Sequence, residues 1–577
     1  MRYLLCAFGT LSFLLASFFA FADGELTYMA REKTPGLPSD GVNNADWPMY
    51  HGSYLGWRYS ALDQITTENV KNLAAAWVHQ PGEVHGGLQA TPIAVDGVIY
   101  YSSSYNKIFA LDGATGELLW RYITDFSDNE RNIGGIFPQQ VMPGSSLYTP
   151  YSRGVSVTNN AVIFGTLDGR GISLDLKTGK ELWSAPIVDS DACNCNFTSP
   201  PVIVDDIAVF GPSGGDTFAF GRIFGLSVET GDILWEFETL RDHPDSWLPE
   251  HRMTGGGGGW MPGQYDPETD TLLWGMGNPS PDFDDGDDRP GDNLYTSGIV
   301  GLNPKTGELK WYHQQIPHDV WDFDAAASEF ILVNEGDKKM MAHLNKNGYV
   351  YVYDRAAGEI NNVWKLANHN TWSDGVDPKT GEIIGRKPPV LGEETLVCPW
   401  VGGTRNWGHG SYNPNTGLWY TMASDHCNLV ETIEGIEYVE GALAFNGNVT
   451  PIMPPDGNSD PRLVAVNPLT GEEAWRISSK LPNGGSTLTT KGGLVFYGDT
   501  TGYARAVDAS TGKELWKFNT GSGHRSGLIS YEANGDQYIM IPSGFGGLIA
   551  EFGFGALYPE IASYFNAAAL FAFKLPN

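Results

Sequence analysis

The amino-acid sequence predicts an all-β protein and, within that class, an eight-bladed β-propeller with inserted loops. A short strand–turn–strand unit that ends in an aromatic residue recurs along the chain. The composition, with 72 glycines, 18 tryptophans and 26 tyrosines, is typical of many short strands joined by tight turns. Helical periodicity is scarce, and the main helix candidate is the stretch "TTENVKNLAAAW" at residues 66–77.

The repeat explains why the units should close into a ring. Asp or Asn typically opens its turn, and Gly supplies the positive φ that closes it. Six close copies end in a tryptophan, at Trp120, Trp183, Trp235, Trp311, Trp475 and Trp516, and looser copies end near Trp274, Ile360 and Tyr420. One unit cannot bury its own apolar face, so the copies must stack, with each tryptophan between neighbouring sheets. A β-sandwich array, the alternative, would not need a tryptophan at the same place in every copy.

The chain begins with a pattern typical of a secretory signal. One arginine precedes an apolar run that ends in Ala20-Phe21-Ala22, a small-x-small cleavage site. We therefore expect a signal peptide at residues 1–22, a single propeller domain at residues 23–577, and location in the periplasm. The run is short for a membrane span, and no later stretch is apolar enough to be one.

The net charge of −32 narrows the range of partners. It argues against nucleic acid and against anionic membrane surfaces, because both are negatively charged. Two interpretations of the acidity stay open: it serves solubility alone, or it suits a basic protein partner.

Four cysteines remain after the signal: Cys193, Cys195, Cys398 and Cys427. An oxidising compartment permits disulfides. Cys193 and Cys195 could form a disulfide or stay as free thiols, and the pair alone is too little for a zinc site. The sequence has no C-x-x-C-H motif, so we expect no covalently attached c-type haem.

The stretch "IPHDVWDFDAA" at residues 316–326 concentrates acidic side chains next to a tryptophan. Asp319, Asp322 and Asp324 could form a solvated acidic turn, or they could bind a metal ion and accept a proton.

Five further stretches decide between these interpretations: "WGMGNPSP", "RPGDNLYTSGIVGLNPKTGELKWYHQQIPHDVWDFD", "NKNGYVYVYDR", "GGTRNWGHGSYNPNTGLWY" and "GGSTLTTKGGLVFYGDTTGYARAVDASTGKELWKF". In these motifs and their order the chain resembles the soluble quinoprotein alcohol dehydrogenases, which hold pyrroloquinoline quinone (PQQ) in an eight-bladed propeller. The resemblance covers essentially the whole mature chain. It implies an enzyme that oxidises an alcohol to an aldehyde or ketone by hydride transfer to the quinone.

PQQ is a flat quinone with three carboxylates, and it needs a planar floor and cationic or amide donors. Trp260, which follows five glycines in "TGGGGGWMPG", matches the family tryptophan on which the ring lies. The alternative is that this glycine run is only a tight connection between blades. The other cofactor-binding residues that the resemblance implies are Gln89, Arg153, Thr198, Ser213, Gly214, Lys346, Asn406 and Trp407. Taken singly, Lys346 would be interpreted as a surface lysine in a turn.

The resemblance also implies a metal ion, held by Asp216, Asn278 and the quinone, with Asp322 as the catalytic base. Asp324 is typical of the lanthanide-dependent branch, where the calcium enzymes have a small residue. Three acids converging in a dry pocket would repel one another unless a trivalent ion balanced them. In an extended segment, Asp322 and Asp324 would face the same side. We therefore favour a lanthanide(III) ion over Ca²⁺, while Asp324 as a simple cap of an acidic loop stays open, and so does calcium.

The chain departs from the family pattern at two places near the expected site. Asp216 stands where relatives have Glu, so its side chain is shorter by one methylene. Leu147 and Tyr148 stand where most relatives have adjacent cysteines whose disulfide covers the quinone. The resemblance further implies a disulfide between Cys398 and Cys427.

The expected partners are an alcohol, whose identity stays open, and a soluble cytochrome c that accepts electrons from the acidic surface. A homodimer is one assembly that stays open. The competing function is a non-catalytic periplasmic propeller scaffold, which would not need Asp322, Asn278 and Trp260 in one place.

Overall fold

The computed structural model describes residues 45–82, 84–127, 150–240, 246–247, 254–283, 289–433, 435, 437–439, 441–442, 444–565 and 567–576. The expected signal peptide and the pair Leu147 and Tyr148 lie outside these residues. Within the described ranges, no helix combines the length and the apolar character that crossing a membrane requires.

The described strands form eight sheets of four or five strands and two smaller sheets, so the all-β prediction is confirmed. We number the eight sheets along the chain. Sheets 1 to 4 contain, in turn, Ile93–Val95, Val98–Ser103, Lys107–Asp112 and Leu118–Ile123; Ser156–Val157, Ala161–Gly165, Arg170–Asp175 and Glu181–Pro186; Val202–Val204, Ile207–Phe210, Arg222–Ser227 and Ile233–Glu238; and Gln264–Asp266, Thr271–Gly275, Gly298–Leu302 and Leu309–Gln314.

The second half of the chain continues this pattern. Sheets 5 and 6 contain Ile331–Glu335, Lys338–Leu344, Tyr349–Asp354 and Glu359–Lys365; and Ser411–Asn413, Leu418–Ala423, Arg462–Val466 and Glu473–Ser478. Sheet 7 contains Tyr59–Ser60, Thr487–Thr490, Leu494–Gly498, Tyr503–Asp508 and Glu514–Asn519, and sheet 8 contains Ala74–His79, Ile529–Ala533, Asp536–Ser543 and Ala569–Lys574. The smaller sheets are Gly375–Val376 with Ile383–Ile384, and Glu394–Val397 with Cys427–Thr432 and Gly447–Ile452.

Helical segments among the described residues are short. They are Val70–Asn72, Ser104–Asn106, Ser190–Cys193, Gly215–Thr217, Ile549–Phe554, Gly555–Leu557 and Pro559–Tyr564. The helix expected at residues 66–77 is therefore wrong: only Val70–Asn72 forms a helical turn, and Ala74–His79 is a strand. That strand pairs with Ala569–Lys574, and this pairing outweighs the helical preference of three alanines.

The repeat tryptophans connect neighbouring sheets, seven of them through an indole hydrogen bond and Trp311 through the contact of its ring with Gly358. The indole N–H of Trp120 donates to the carbonyl of Leu176, in the turn of sheet 2, at 3.0 Å. Corresponding indole-to-carbonyl bonds run from Trp77 to Gly113, Trp183 to Val228, Trp235 to Pro304, Trp364 to Pro468, Trp475 to Ala509 and Trp516 to Leu73. The sequence pattern missed Trp77, and it placed one repeat end at Ile360 where Trp364 makes the contact.

The turn glycine serves this contact as well as the backbone. Gly179 has φ = +66°, and a Cβ there would lie 2.5 Å from the Trp120 ring. A single glycine thus permits both the turn and the close approach of the indole. Apolar side chains of adjacent sheets fill the space between them: one buried cluster joins Ile108 and Trp120 of sheet 1 to Val162 and Ile172 of sheet 2.

Candidate cofactor and metal site

The acidic stretch is a structured loop rather than an extended strand. The buried carboxylate of Asp319 accepts hydrogen bonds from the backbone N–H of Trp321 (2.9 Å) and of Phe323 (2.7 Å), and from the hydroxyl of Ser297 (2.7 Å). Asp322 lies between these anchors with φ = +62°, an uncommon conformation for a residue with a side chain. Loop geometry, and not the alternation of an extended segment, therefore orients Asp322 and Asp324.

Lys346 joins the two acids of this loop. Its ammonium lies 2.9 Å from Asp322 Oδ1 and also forms an ion pair with Asp324. Only 6 % of Lys346 is exposed, so it is not a surface lysine. Burial alone would lower the pKa of Lys346, but the attraction of Asp322 and Asp324 outweighs it and holds the pKa above its usual value. Lys346 is therefore a charged residue of the pocket.

Trp260 is hydrogen-bonded to one of these two acids. Its indole N–H donates to Asp324 Oδ2 at 2.6 Å. The glycines before it pack backbone against backbone: Gly257 donates to the carbonyl of Asn278 at 2.7 Å, and a Cβ on Gly256 would lie 2.4 Å from that carbonyl. The glycine run thus fixes Trp260 between the acidic loop and the Asn278 segment.

A second acidic group surrounds Asn278. Asp216 lies in the helical turn Gly215–Thr217, and the amide of Asn278 donates to Asp282 Oδ1 at 2.7 Å. Asp282 is 1 % exposed, and its Oδ2 has no hydrogen-bond partner among the described residues. Sequence reasoning missed Asp282, although it follows "GNPSP" directly.

The acids of the loop interact electrostatically with the acids near Asn278. Burial raises the pKa values of Asp216, Asp282 and Asp322, and repulsion among the acids raises them further, while Lys346 opposes this effect. Within the described part of the chain, no three His, Cys, Asp or Glu side chains already form a cluster that could hold a metal ion. The arrangement is a concentration of oxygen ligands with too little positive charge of its own.

Cationic side chains lie on the other side of Trp260. Arg153 donates from Nη1 to the hydroxyl of Thr198 at 2.5 Å, and its guanidinium carbon lies 5.2 Å from the Trp260 ring centre and 4.9 Å from that of Trp407. Arg525, which sequence reasoning missed, also lies 4.9 Å from the Trp407 ring centre. No motif in "GSGHRSG" points to that arginine.

The remaining predicted residues lie in adjoining loops. Gln89 is buried and donates to the carbonyl of Gly86 at 3.2 Å. Ser213 donates to Asn196 Oδ1 at 2.6 Å, and Asn406 Oδ1 accepts from the N–H of Trp407 at 2.9 Å. Gly214 has φ = +134°, and a Cβ there would lie 2.8 Å from Cys195.

Both cysteine pairs are disulfides. Cys398 and Cys427 are bonded as expected, and Cys193 is bonded to Cys195, which settles the alternative that the sequence left open. The Cys193–Cys195 bridge places Cys195 directly against the Gly214 loop that precedes Asp216.

These residues fit a flat anion and a hard cation. Several buried polar atoms have no hydrogen-bond partner among the described residues, which is uncommon in proteins. They are Gln89 Oε1, Arg153 Nε, Arg525 Nε and Nη1, and Asp282 Oδ2. Indole rings and guanidinium groups suit a planar carboxylated ring, and carboxylate with amide oxygens suits a hard cation.

Comparisons with known proteins agree with this fit. The family model described as "PQQ: Glucose/ethanol/alcohol dehydrogenase, beta-propeller domain" matches residues 47–378 and 468–539. Quinoprotein alcohol dehydrogenase PedH of Pseudomonas putida is 35% identical over 555 residues, which are 90% of this chain and 90% of that protein.

Solved structures give the same result. A europium-containing methanol dehydrogenase superposes with a TM-score of 0.84 at 26% identity, over 95% of this chain and 100% of that one. Quinohemoprotein alcohol dehydrogenase ADHIIG of Pseudomonas putida HK5 superposes with a TM-score of 0.82 at 30% identity, over 92% of this chain and 80% of that one. These matches contradict the alternative of a non-catalytic scaffold. The chain belongs to the quinoprotein alcohol dehydrogenases, the PQQ-dependent oxidoreductases that share this β-propeller domain.

Proposed function

We propose that the protein is a periplasmic dehydrogenase that uses PQQ and a metal ion to oxidise an alcohol to an aldehyde or ketone, and that passes the electrons to a soluble cytochrome c. The observation that carries this proposal is the contact series Asp322–Lys346–Asp324–Trp260, which joins a carboxylate base to an indole floor. A periplasmic location is supported by the signal pattern at residues 1–22 and by two disulfides.

The proposed architecture is one ring of eight blades, formed by sheets 1 to 8. The order of the tryptophan contacts supports it. Trp77 of sheet 8 bonds to the turn of sheet 1, and Trp516 of sheet 7 bonds to Leu73, directly before the first strand of sheet 8. Sheet 8 also pairs Ala74–His79 with the late strand Ala569–Lys574, a contact that joins the two ends of the ring.

The cofactor would be held by residues that contribute flat surfaces and donors. Trp260 offers the floor, and the donors and neighbours are Gln89, Arg153, Thr198, Ser213, Gly214, Lys346, Asn406 and Trp407. Arg153 supports this role most directly, because it is buried beside both indoles and keeps an N–H without a partner among the described residues.

The metal would be held by Asp216, Asn278, Asp322 and Asp324, and we favour a lanthanide(III) ion over Ca²⁺. Four carboxylates, including Asp282, interact electrostatically at this site; Lys346 offsets their charge, and Arg289 also offsets that of Asp282. A trivalent ion compensates more of this negative charge than a divalent one. The name of the europium-containing methanol dehydrogenase is consistent with such chemistry in a protein of this fold.

Asp322 acts as the base in the proposed reaction. Bound at this site, PQQ would supply the hydride acceptor, and the metal ion would supply a Lewis acid. Asp322 accepts the hydroxyl proton of the alcohol as the hydride leaves the carbinol carbon. Burial raises the pKa of Asp322 and makes its carboxylate a stronger base than that of an exposed aspartate, while the ammonium of Lys346 acts in the opposite direction.

The proposed electron acceptor is external to the chain. The sequence has no attachment motif for a c-type haem, and the net charge of −32 suits a basic cytochrome c. The alcohol itself stays open between primary alcohols, bulky secondary alcohols and polyols, because loops determine that choice.

Reconstitution of the purified protein with PQQ and either La³⁺ or Ca²⁺ tests the function. We expect the absorbance of bound PQQ and dye-linked oxidation of at least one alcohol in a panel. Replacing Asp322→Ala should lower turnover by at least about 10²-fold, the contribution typical of a general base, while PQQ still binds. The matched control is Asp374→Ala, at a surface acid paired with Lys387, which should keep full activity.

Two results would contradict the proposal. The first is a protein that binds no PQQ with either metal. The second is an Asp322→Ala variant that turns over at the rate of the unmodified protein.

A further inference from the structure

Arg525 is a buried cation that forms no ion pair with the residues that the structure describes. The residue is 3 % exposed, and its Nε and Nη1 have no hydrogen-bond partner within the described ranges. Glu551 attracts it electrostatically, but the carboxylate of Glu551 accepts from the N–H of Gly547 at 3.0 Å and forms no ion pair with Arg525 among the described contacts. Burying a charge in this way is costly unless something else pairs with it.

Three other buried arginines have acceptors that the chain itself supplies. Arg58 donates to the carbonyls of Tyr50 at 2.7 Å and Leu528 at 2.8 Å. Arg355 is paired with Asp266 at 2.8 Å, and Arg462 with Asp425 at 2.6 Å. In each of these cases the chain itself supplies the acceptor. Arg405 also keeps two N–H groups without a described partner, but it is paired with Glu329. Arg525 has two such N–H groups and no ion pair in the described ranges, which points to an acceptor that the chain does not supply.

Arg525 and Arg153 both contact the indole of Trp407. The guanidinium carbons of both lie 4.9 Å from the ring centre of Trp407, and Arg153 donates one N–H to Thr198 while its Nε has no described partner. Burial lowers the pKa of Arg525 to about 10, and the like charge of Arg153 acts in the same direction. Two buried guanidinium groups that contact one indole, each with an N–H that lacks a described partner, favour binding of an anion near them.

We propose that Arg525 and Arg153 together bind a carboxylate of PQQ, which makes Arg525 a cofactor-binding residue outside the set that the sequence predicted. This inference depends on the proposed function. The cofactor is the favoured source of the carboxylate because Arg525 contacts Trp407, an indole already predicted to lie at the cofactor. Paired guanidinium groups are well suited to such binding, because each can donate two parallel N–H bonds to a carboxylate.

Titration of the apoprotein with PQQ, followed by quenching of tryptophan fluorescence, tests the proposal. We expect Arg525→Gln to raise the Kd for PQQ by about tenfold or more, because a charge-assisted hydrogen bond is lost. Arg525→Lys keeps the charge but not the paired donors, so its Kd for PQQ should lie between that of the unmodified protein and that of Arg525→Gln. The matched control is Arg505→Gln, which removes a guanidinium that is already paired with Asp499 and Glu514, and its Kd should not change.

Thermal unfolding of each variant separates a binding defect from a folding defect, and Arg525→Lys carries the test if Arg525→Gln does not fold. An unchanged Kd for PQQ in both Arg525 variants overturns the proposal. If the Kd is unchanged but the KM for an alcohol that carries a carboxylate rises relative to a neutral alcohol, the anion belongs to the substrate and the assignment to PQQ is wrong. If the unmodified protein binds no PQQ, the proposed function fails and this inference fails with it.

Discussion

At the scale of single residues, charge balance governs the pocket. Asp322 and Asp324 are both paired with the ammonium of Lys346, and the indole N–H of Trp260 donates a hydrogen bond to Asp324 Oδ2. Asp324 therefore has two separable roles: it contributes negative charge, and it accepts a hydrogen bond that holds the indole floor. The amide of asparagine keeps an oxygen acceptor but not the charge.

The metal preference can be tested on this distinction. We expect La³⁺ to support faster alcohol oxidation than Ca²⁺ in the reconstituted protein. Asp324→Asn should lower the La³⁺-dependent rate by about tenfold or more, because a trivalent ion loses one balancing charge, and should leave the Ca²⁺-dependent rate nearly unchanged. Steady-state rates with each metal at saturating PQQ provide the measurement.

Asp324→Ala is the companion variant, since it removes both roles and should weaken PQQ binding as well. If Ca²⁺ restores activity and La³⁺ does not, our interpretation of Asp324 is wrong.

At the scale of the structural element, the repeated turn and its tryptophan form the joint between sheets. Six of the tryptophans could be recognised from sequence because turn chemistry is local: Asp or Asn, then Gly, then a strand. Trp77 could not, since its strand begins with three alanines and pairs with Ala569–Lys574, almost the whole chain away. Trp364 was missed because it follows its turn glycine, Gly358, by six residues, whereas each of the six recognised tryptophans follows its own turn glycine by four.

Two glycines allow the energy of this joint to be isolated. Gly179 (φ = +66°) lies under the Trp120 ring, whereas Gly535 (φ = +83°) lies in a sheet 8 turn where an added Cβ would have nothing within 4 Å. Alanine at either position costs about 1–2 kcal/mol for the left-handed backbone. Gly179→Ala should cost about 1–3 kcal/mol more, because the added methyl displaces the indole. Chemical denaturation of both variants measures the difference, and equal losses of stability would refute the role given to the indole.

At the scale of the whole molecule, long-range packing decides protonation as well as position. His343 in sheet 5 is enclosed, with Nε2 2.8 Å from the carbonyl of Ala327 and Nδ1 3.2 Å from the amide of Gln315. Burial lowers the pKa of His343 to about 4. The unfolded chain instead protonates histidine near its ordinary value, about 6.5.

His343 makes the folded protein less stable as the pH falls. Because the folded pKa is the lower one, the contribution of His343 to stability is complete above pH ~6.5 and is lost as the pH falls toward about 4, a change of about 3 kcal/mol. We expect His343→Gln to show a shallower loss of unfolding free energy than the unmodified protein between about pH 7 and pH 4.5.

The control for this measurement is His369→Gln, the same substitution at a half-buried histidine whose Nε2 lies 3.2 Å from Asp456 Oδ2. Parallel curves for His343→Gln and the unmodified protein would contradict the assignment. The acids of the pocket act in the opposite sense, since their raised pKa values favour the fold at low pH, and the comparison of variants removes that contribution.

By itself, the sequence determined the all-β class, the repeated turns and the residues around Asp322, because strand alternation, turn chemistry and short motifs are properties of neighbouring residues. Only the tertiary structure decided that Lys346 is buried between two acids, that Asp282 joins Asn278, and that Arg525 lies beside Arg153 on one indole. The physical reason is that burial and pairing depend on groups brought together from distant parts of the chain, and no local pattern encodes which charge will be left without a partner.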